Sequence, residues 1–192
     1  MVDIKTNERK NSPEIFWQEL RLKSISFGER VVDFARELGL NIDNLQIDHM
    51  GMRFANPEDV DFLRQGLNKV GGKISEAIVN GRPILIYKLN RPLSVDNFEI
   101  PCVELPYPAQ KHDFPSDGWE HLEFVLPDSG SDIEKTFKSR YPKFKGDYKI
   151  DEPKVEGEQL PNPTIILKHP TNKMLTLKFH GHSIEEVVRS KS

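Results

Sequence analysis

Two segments of this chain, IDHMGMRF (residues 47–54) and WEHLEFVL (residues 119–126), share one pattern: an acid, a histidine, then apolar residues at every second position. Period-two alternation is what a β-strand with two unlike faces writes. Each segment opens the same run of elements. After the first comes a helix in NPEDVDFLRQGLNKVGG, with Asn56 as cap, Pro57 at its first position, and Gly71 and Gly72 at its end. Its inward residues are Val60, Leu63, Leu67 and Val70. Strands follow in SEAIV, RPILIYKL and FEIPCVELPYP. After the second segment comes a helix in SDIEKTFKSRY, where Ser131 and Glu134 have capping-box spacing. The charged stretch 143–159 holds room for one irregular strand, and NPTIILK and MLTLKFHGH read as two more. SIEEVV ends the series with a helical turn capped by Ser183 and Glu186. The order β-α-β-β-β therefore occurs twice, which predicts an α+β fold of two βαβββ modules.

Ahead of the first module, Ser12-Pro13 opens a helical stripe through Ile15, Phe16, Leu20 and Lys23. Gly28 is expected to interrupt it, Val31, Val32, Ala35 and Leu38 to resume it, and Gly39 to close it. The expected divisions are a helical extension over 1–44, a first module over 45–110 and a second over 111–192. A net charge of -3 supplies no basic face for nucleic acid. Cys102 is the one cysteine, so no intrachain disulfide forms and a reducing compartment suits the chain. MVDIKTNERK lacks the apolar core of a signal peptide, and no apolar run nears the roughly 18 residues of a membrane span. A cytoplasmic protein without membrane partners is expected.

Two βαβββ modules that each open on a histidine-bearing strand resemble the vicinal oxygen chelate superfamily, which includes glyoxalases, extradiol dioxygenases and bleomycin-resistance proteins. More closely, DH, NGRPI, VELPYP, GWEH, LPNPT, LKFH and SIEE, in that order, are similar to the landmarks of the bacterial YecM family. The resemblance implies a cup-shaped mixed sheet with metal ligands from the first and last strand of each module. Transferred by position, the ligands are His49 and His121 on the first strands and Glu104 on the last strand of the first module. The matching place in the second module offers Lys178 or His180 and no carboxylate.

The residues themselves point to the same region. His49 shares a strand face with Gly51 and Arg53, and His121 shares one with Glu123; Glu104, Lys178 and His180 face away from apolar neighbours. Polar groups on inward strand faces must be paired, hydrated or ligand-bound. Two histidines and a carboxylate with positions left open suit a divalent ion: Zn, Fe, Mn or Ni. Donor atoms sharing one ion are expected to converge to roughly 3–4 Å of one another. His180 is expected as fourth ligand, with Lys178 pairing with Glu123 or holding a substrate anion. Glu123 is expected to carry protons, to hold the ring of His121, or to compete as a ligand. Alternation sends Asp48 and Glu120 to the opposite face. Arg53, Arg82 and Lys88 are candidates for an anionic substrate group, although Arg53 or Lys88 pairing internally with Glu104 is the plainer alternative.

His112, His169 and His182 read as surface residues, Met50 and Met52 as core, and Cys102 lacks the setting of a nucleophile. The leading expectation is a metal-dependent isomerase, lyase or oxygenase acting on a small oxygen-bearing molecule. The alternatives are a metal-free protein that sequesters a small molecule in the same cup, and an interaction protein whose polar residues form a salt-bridge network. One chain can complete the cup, so a monomer is expected, with a dimer open.

Overall fold

Pro13 can start a helix because its missing N–H is one of the first-turn orphans, and the Ser12 hydroxyl accepts from the Ile15 N–H. The resulting α1 (Pro13–Glu37) runs unbroken through Gly28, against expectation. Gly28 is buried, and a β-carbon there would strike the Val95 side chain, so the glycine serves close packing and not a break. The helix ends as expected: Gly39, at φ +73°, lets its N–H reach the Arg36 carbonyl at 2.9 Å and the Leu40 N–H reach that of Ala35 at 3.0 Å.

The computed structural model describes residues 12–108, 116–129, 132–152 and 160–190. After α1 the chain forms β1 (Gln46–Arg53), α2 (Pro57–Val70), β2 (Gly71–Val79), β3 (Arg82–Val95) and β4 (Phe98–Pro106). It repeats that order in β5 (Gly118–Val125), α3 (Ile133–Arg140), β6 (Lys149–Asp151), β7 (Thr164–Lys168) and β8 (Thr176–His180), and α4 (Ile184–Arg189) follows. Asp132 caps α3, its carboxylate accepting from the Lys135 N–H at 3.0 Å. Ser131 and His112 lie outside the described residues.

All eight strands of the described residues share one mixed sheet in the order β2-β3-β4-β1-β5-β8-β7-β6. At its centre β1 and β5 run antiparallel, while each runs parallel to the last strand of its own module, β4 and β8. The two modules thus join through their first strands. One sheet face carries Met50, Met52, Leu122, Phe124, Val103, Leu105, Leu177 and Phe179, all fully buried. Against it pack Trp17, Val31, Val32 and Ala35 of α1, Val60, Leu63 and Leu67 of α2, and Ile133 and Phe137 of α3. The Trp119 indole donates to the Leu20 carbonyl at 2.8 Å and ties α1 to the second module's first strand. With one face sealed, the polar residues of the central strands are left to the other.

α1 and α2 are in tight contact at Gly66, where a β-carbon would run into the Pro13 carbonyl oxygen, whereas at Gly72 it would meet open space. Helix propensity alone favours alanine at a helical glycine by about 1 kcal/mol. Gly66→Ala should nevertheless destabilise the fold by about 1–3 kcal/mol through overpacking. Gly72→Ala should stay within about 0.5 kcal/mol. Urea midpoints at an unchanged denaturant slope measure both; equal midpoints would show that the helix contact carries no weight.

Candidate metal centre

The register of β1 against β5 slips twice. Ile47 pairs with Phe124 but His49 with Glu123, so Asp48 is an extra residue on β1; Gly51 pairs with His121 but Met52 with Trp119, so Glu120 is an extra residue on β5. Such bulges re-aim side chains. Both acids therefore turn toward the histidines that follow them, which corrects the expectation that they face away. Asp48 lies 2.8 Å from Nδ1 of His49, and Glu120 lies 2.8 Å from Nδ1 of His121. With each Nδ1 bound to a carboxylate, each Nε2 is the free end of its ring.

Those two free ends meet. Nε2 of His49 stands 3.3 Å from Glu104 Oε2 and 3.5 Å from Glu123 Oε1. Nε2 of His121 stands 3.7 and 3.3 Å from the same two oxygens. Neither nitrogen makes a hydrogen bond in these positions, and both are buried. Four donors roughly 2.0–2.2 Å from a common centre in tetrahedral array would be spaced roughly 3.3–3.6 Å apart. The four imidazole–carboxylate spacings lie in or just beyond that range, and all four donors lie within 4.8 Å of one another, so His49, Glu104, His121 and Glu123 have the donor types and separations to hold one cation. Gly51 makes the array possible. It is paired in register with His121, and a β-carbon on it would occupy the imidazole ring. A glycine inside a strand marks such close approaches, and that signal in IDHMGMRF went unused in reading the sequence.

Charge is dense here. Burial opposes ionisation of Asp48, but His180 and His49 bring its pKa down to about 2. Burial likewise opposes Glu120, and His121 with Arg53 brings it to about 2. Glu104 and Glu123 are held well below the ordinary carboxylate range despite burial, Glu104 by His121 and His49, Glu123 by Lys178 and His49. Burial works against a charge on His49, yet Glu123, Asp48 and Glu104 raise it well above the ordinary imidazole value. For a ring nitrogen of His49 to bind a cation, the imidazole would first have to give up the proton that these carboxylates favour.

Lys178 occupies the register position in the second module that Glu104 holds in the first: Gly51 pairs with Glu104 as Glu123 pairs with Lys178. Its ammonium donates to Glu123 at 2.6 Å, as expected. His180 comes close to the cluster without joining the four convergent donors; its Nδ1 lies 3.2 Å from Glu123 Oε2 and its Nε2 3.2 Å from Asp48 Oδ2. Asn162 donates to the His180 ring at 3.2 Å and binds the His182 backbone in both directions. Arg53 is taken up by Glu120 at 2.9 Å, and Lys88 by Glu185 at 2.8 Å on the surface. His169 sits in a turn against Phe34, and His182 is half-buried. Cys102 is buried, and its thiol is pushed up to about 12 by that burial, so it stays protonated.

The cluster floors a cavity of about 170 Å³. Ile84 and Ile86 of β3 form one wall, Ile166 of β7 another, and Ile184, Val187 and Val188 of α4 a third; Arg82 also faces it. The wall helix depends on the site, because the Ile184 N–H donates to the same Asp48 carboxylate that holds His49.

Against known families, the model described as YecM protein matches residues 17–191. Protein YecM of Escherichia coli K12 is 38% identical over 83% of this chain and 85% of its own. An uncharacterized protein of Haemophilus influenzae Rd is 31% identical over 85% of this chain and 88% of its own. Among solved structures, a structural-genomics protein, EC4020, is 33% identical, covers 90% of this chain and 93% of its own, and superimposes with a TM-score of 0.71.

Gly51→Ala should displace the His121 ring and break its bond to Glu120 without touching a donor atom. The imidazole NMR signals of His121 should shift while the far-ultraviolet circular dichroism of the fold persists. Unchanged His121 signals would show that the ring does not rest on Gly51.

Proposed function

The chain belongs to the YecM family, and on that premise we propose that its central cluster holds one divalent cation and acts on a small oxygen-bearing molecule. The observation that supports this most is the convergence of two buried imidazole Nε2 atoms, each with its Nδ1 bound to a carboxylate, on two further carboxylates. His49, Glu104, His121 and Glu123 form the donor set. Zn, Fe, Mn and Ni all accept such nitrogen and oxygen donors.

When bound, the cation supplies Lewis acidity toward the oxygens of a substrate. The protein does the rest. Asp48 and Glu120 fix the ring orientation and tautomer of the two histidines. Lys178 holds the Glu123 carboxylate in place, and His180, expected as a ligand, stands outside that donor set but forms with Asp48 and His49 a second group whose donor atoms lie close enough to hold an ion. The isoleucine and valine walls limit water over the donors and select a compact substrate. The reaction is of the isomerase, lyase or oxygenase kind. The lone buried cysteine suits a cytoplasmic setting, no described helix is long and apolar enough to cross a membrane, and the cup is complete within one chain, which suits a monomer. The apolar walls favour a second reading, sequestration of a small molecule without metal.

Metal analysis of untagged protein purified without chelator separates the two. The metal reading expects near-stoichiometric Zn, Fe, Mn or Ni. His121→Ala should lower the content to below about a tenth at equal folded fraction, since loss of a ligand or its partner costs at least 10–100-fold in affinity. Wild-type protein that neither retains nor takes up any of these ions, or a His121→Ala variant with full occupancy, would remove the metal reading.

A further inference from the structure

Four cations were candidates for a substrate anion, and the structure separates them: Lys178 is bound to Glu123 at 2.6 Å. Arg53 is paired with Glu120 behind the donor cluster, and Lys88 is paired with Glu185 outside the cavity. Arg82 forms no ion pair among the described residues; its guanidinium reaches only the Tyr107 carbonyl, at 3.4 Å. It is half-buried, it faces the cavity, and it lies on the same face of β3 as Ile84 and Ile86, of which Ile86 is paired in register with Glu104. A guanidinium with no carboxylate in ion-pair contact among the described residues, set in a cavity wall near Glu104, can receive an anion with a planar fork that fits a carboxylate in two bonds.

The charge balance agrees. Of the residues that line the cavity, Glu104, Glu123 and Asp151 bring three negative charges, and Arg82 and Lys178 two positive ones. With neutral histidines and a divalent cation the total is one positive charge, which an organic monoanion neutralises. The far rim carries the exposed carboxylate of Asp151 on β6, so an anionic group is drawn toward the β3 side and repelled from the opposite one. Size sets the scale: a cavity of about 170 Å³ compares with one of roughly 150 Å³ that takes benzene. That leaves room for a carboxylate and a few further heavy atoms, enclosed by branched aliphatic side chains.

We propose that the cavity takes a small carboxylic acid bearing a second oxygen function, such as a 2-hydroxy or 2-oxo acid, with its carboxylate on Arg82 and its other oxygen toward the donor cluster at His49, Glu104 and Glu123. The orientation rests on the metal reading above; the carboxylate contact with Arg82 does not. Lys178, already bound to Glu123 beside the cluster, adds positive potential at the inner end without giving up its partner.

Isothermal titration tests this on full-length wild type and on Arg82→Gln, with pyruvate, glycolate and lactate as acids and methyl pyruvate as the uncharged comparison, at matched ionic strength. Metal content is measured on the same samples. At least one acid should bind metal-loaded wild type, and methyl pyruvate should bind at least tenfold more weakly than pyruvate. Arg82→Gln should weaken acid binding at least tenfold and leave the ester unaffected. Absence of binding by all three acids to metal-loaded wild type overturns the proposal, as does undiminished acid binding by Arg82→Gln. If the protein carries no metal yet binds acids through Arg82, the receptor stands and the metal reading fails.

Discussion

The antiparallel ladder between β1 and β5 is the constraint on which the rest of the molecule depends. It joins the two modules, and its two bulges decide what the joint contains. Regular alternation would have turned Asp48 and Glu120 toward the face that carries Met50, Met52, Leu122 and Phe124, where a carboxylate has no partner. An unpaired buried charge of that kind is severely penalised. One extra residue on each strand brings the acid to the side of its histidine, where it accepts a ring hydrogen bond and leaves the other ring nitrogen pointing inward.

Duplication with divergence then shapes the centre. At the two pairs of equivalent positions, the first module has Gly51 and Glu104, while the second has Glu123 and Lys178. The glycine makes space for a ring, the two glutamates sit on either side of it, and the lysine holds one of them. A strictly symmetric pair of modules would crowd like charges at the joint or leave it without donors. The same asymmetry gives the cavity a cationic side at Arg82 and an acidic rim at Asp151.

Asp48 links this centre to the cavity wall. One carboxylate accepts from the His49 ring and from the Ile184 backbone, and lies 3.2 Å from His180. The orientation of a histidine and the seat of α4 therefore share a single group, and neither can shift alone. Lys88 and Glu185 fasten the same helix to β3 from the solvent side, but an exposed pair of this kind contributes little, about 0–1 kcal/mol. The buried carboxylate is the stronger anchor.

Much of the fold was legible in the sequence because its signals are local. Alternation in IDHMGMRF and WEHLEFVL, caps at Ser12, Asn56 and Ser183, and the stop at Gly39 each lie within a few residues, and each forms where it was read. The convergence of His49, Glu104 and His121 was likewise anticipated from strand faces and from a resemblance. What the sequence could not show depends on pairing between distant strands. The bulges at Asp48 and Glu120 exist only as a mismatch between two registers, so alternation alone sent both acids to the wrong face. Gly28 looked like a break because its value, contact with Val95, lies on another element. Lys178 and His180 were not separable by counting, since the register of β5 with β8 decides which one takes the place equivalent to that of Glu104. By itself, then, the sequence determined the elements, their order and the polar residues that needed partners. Only the tertiary structure decided which partner each one has, because a hydrogen bond or ion pair is set by distances of a few ångströms between residues far apart in the chain.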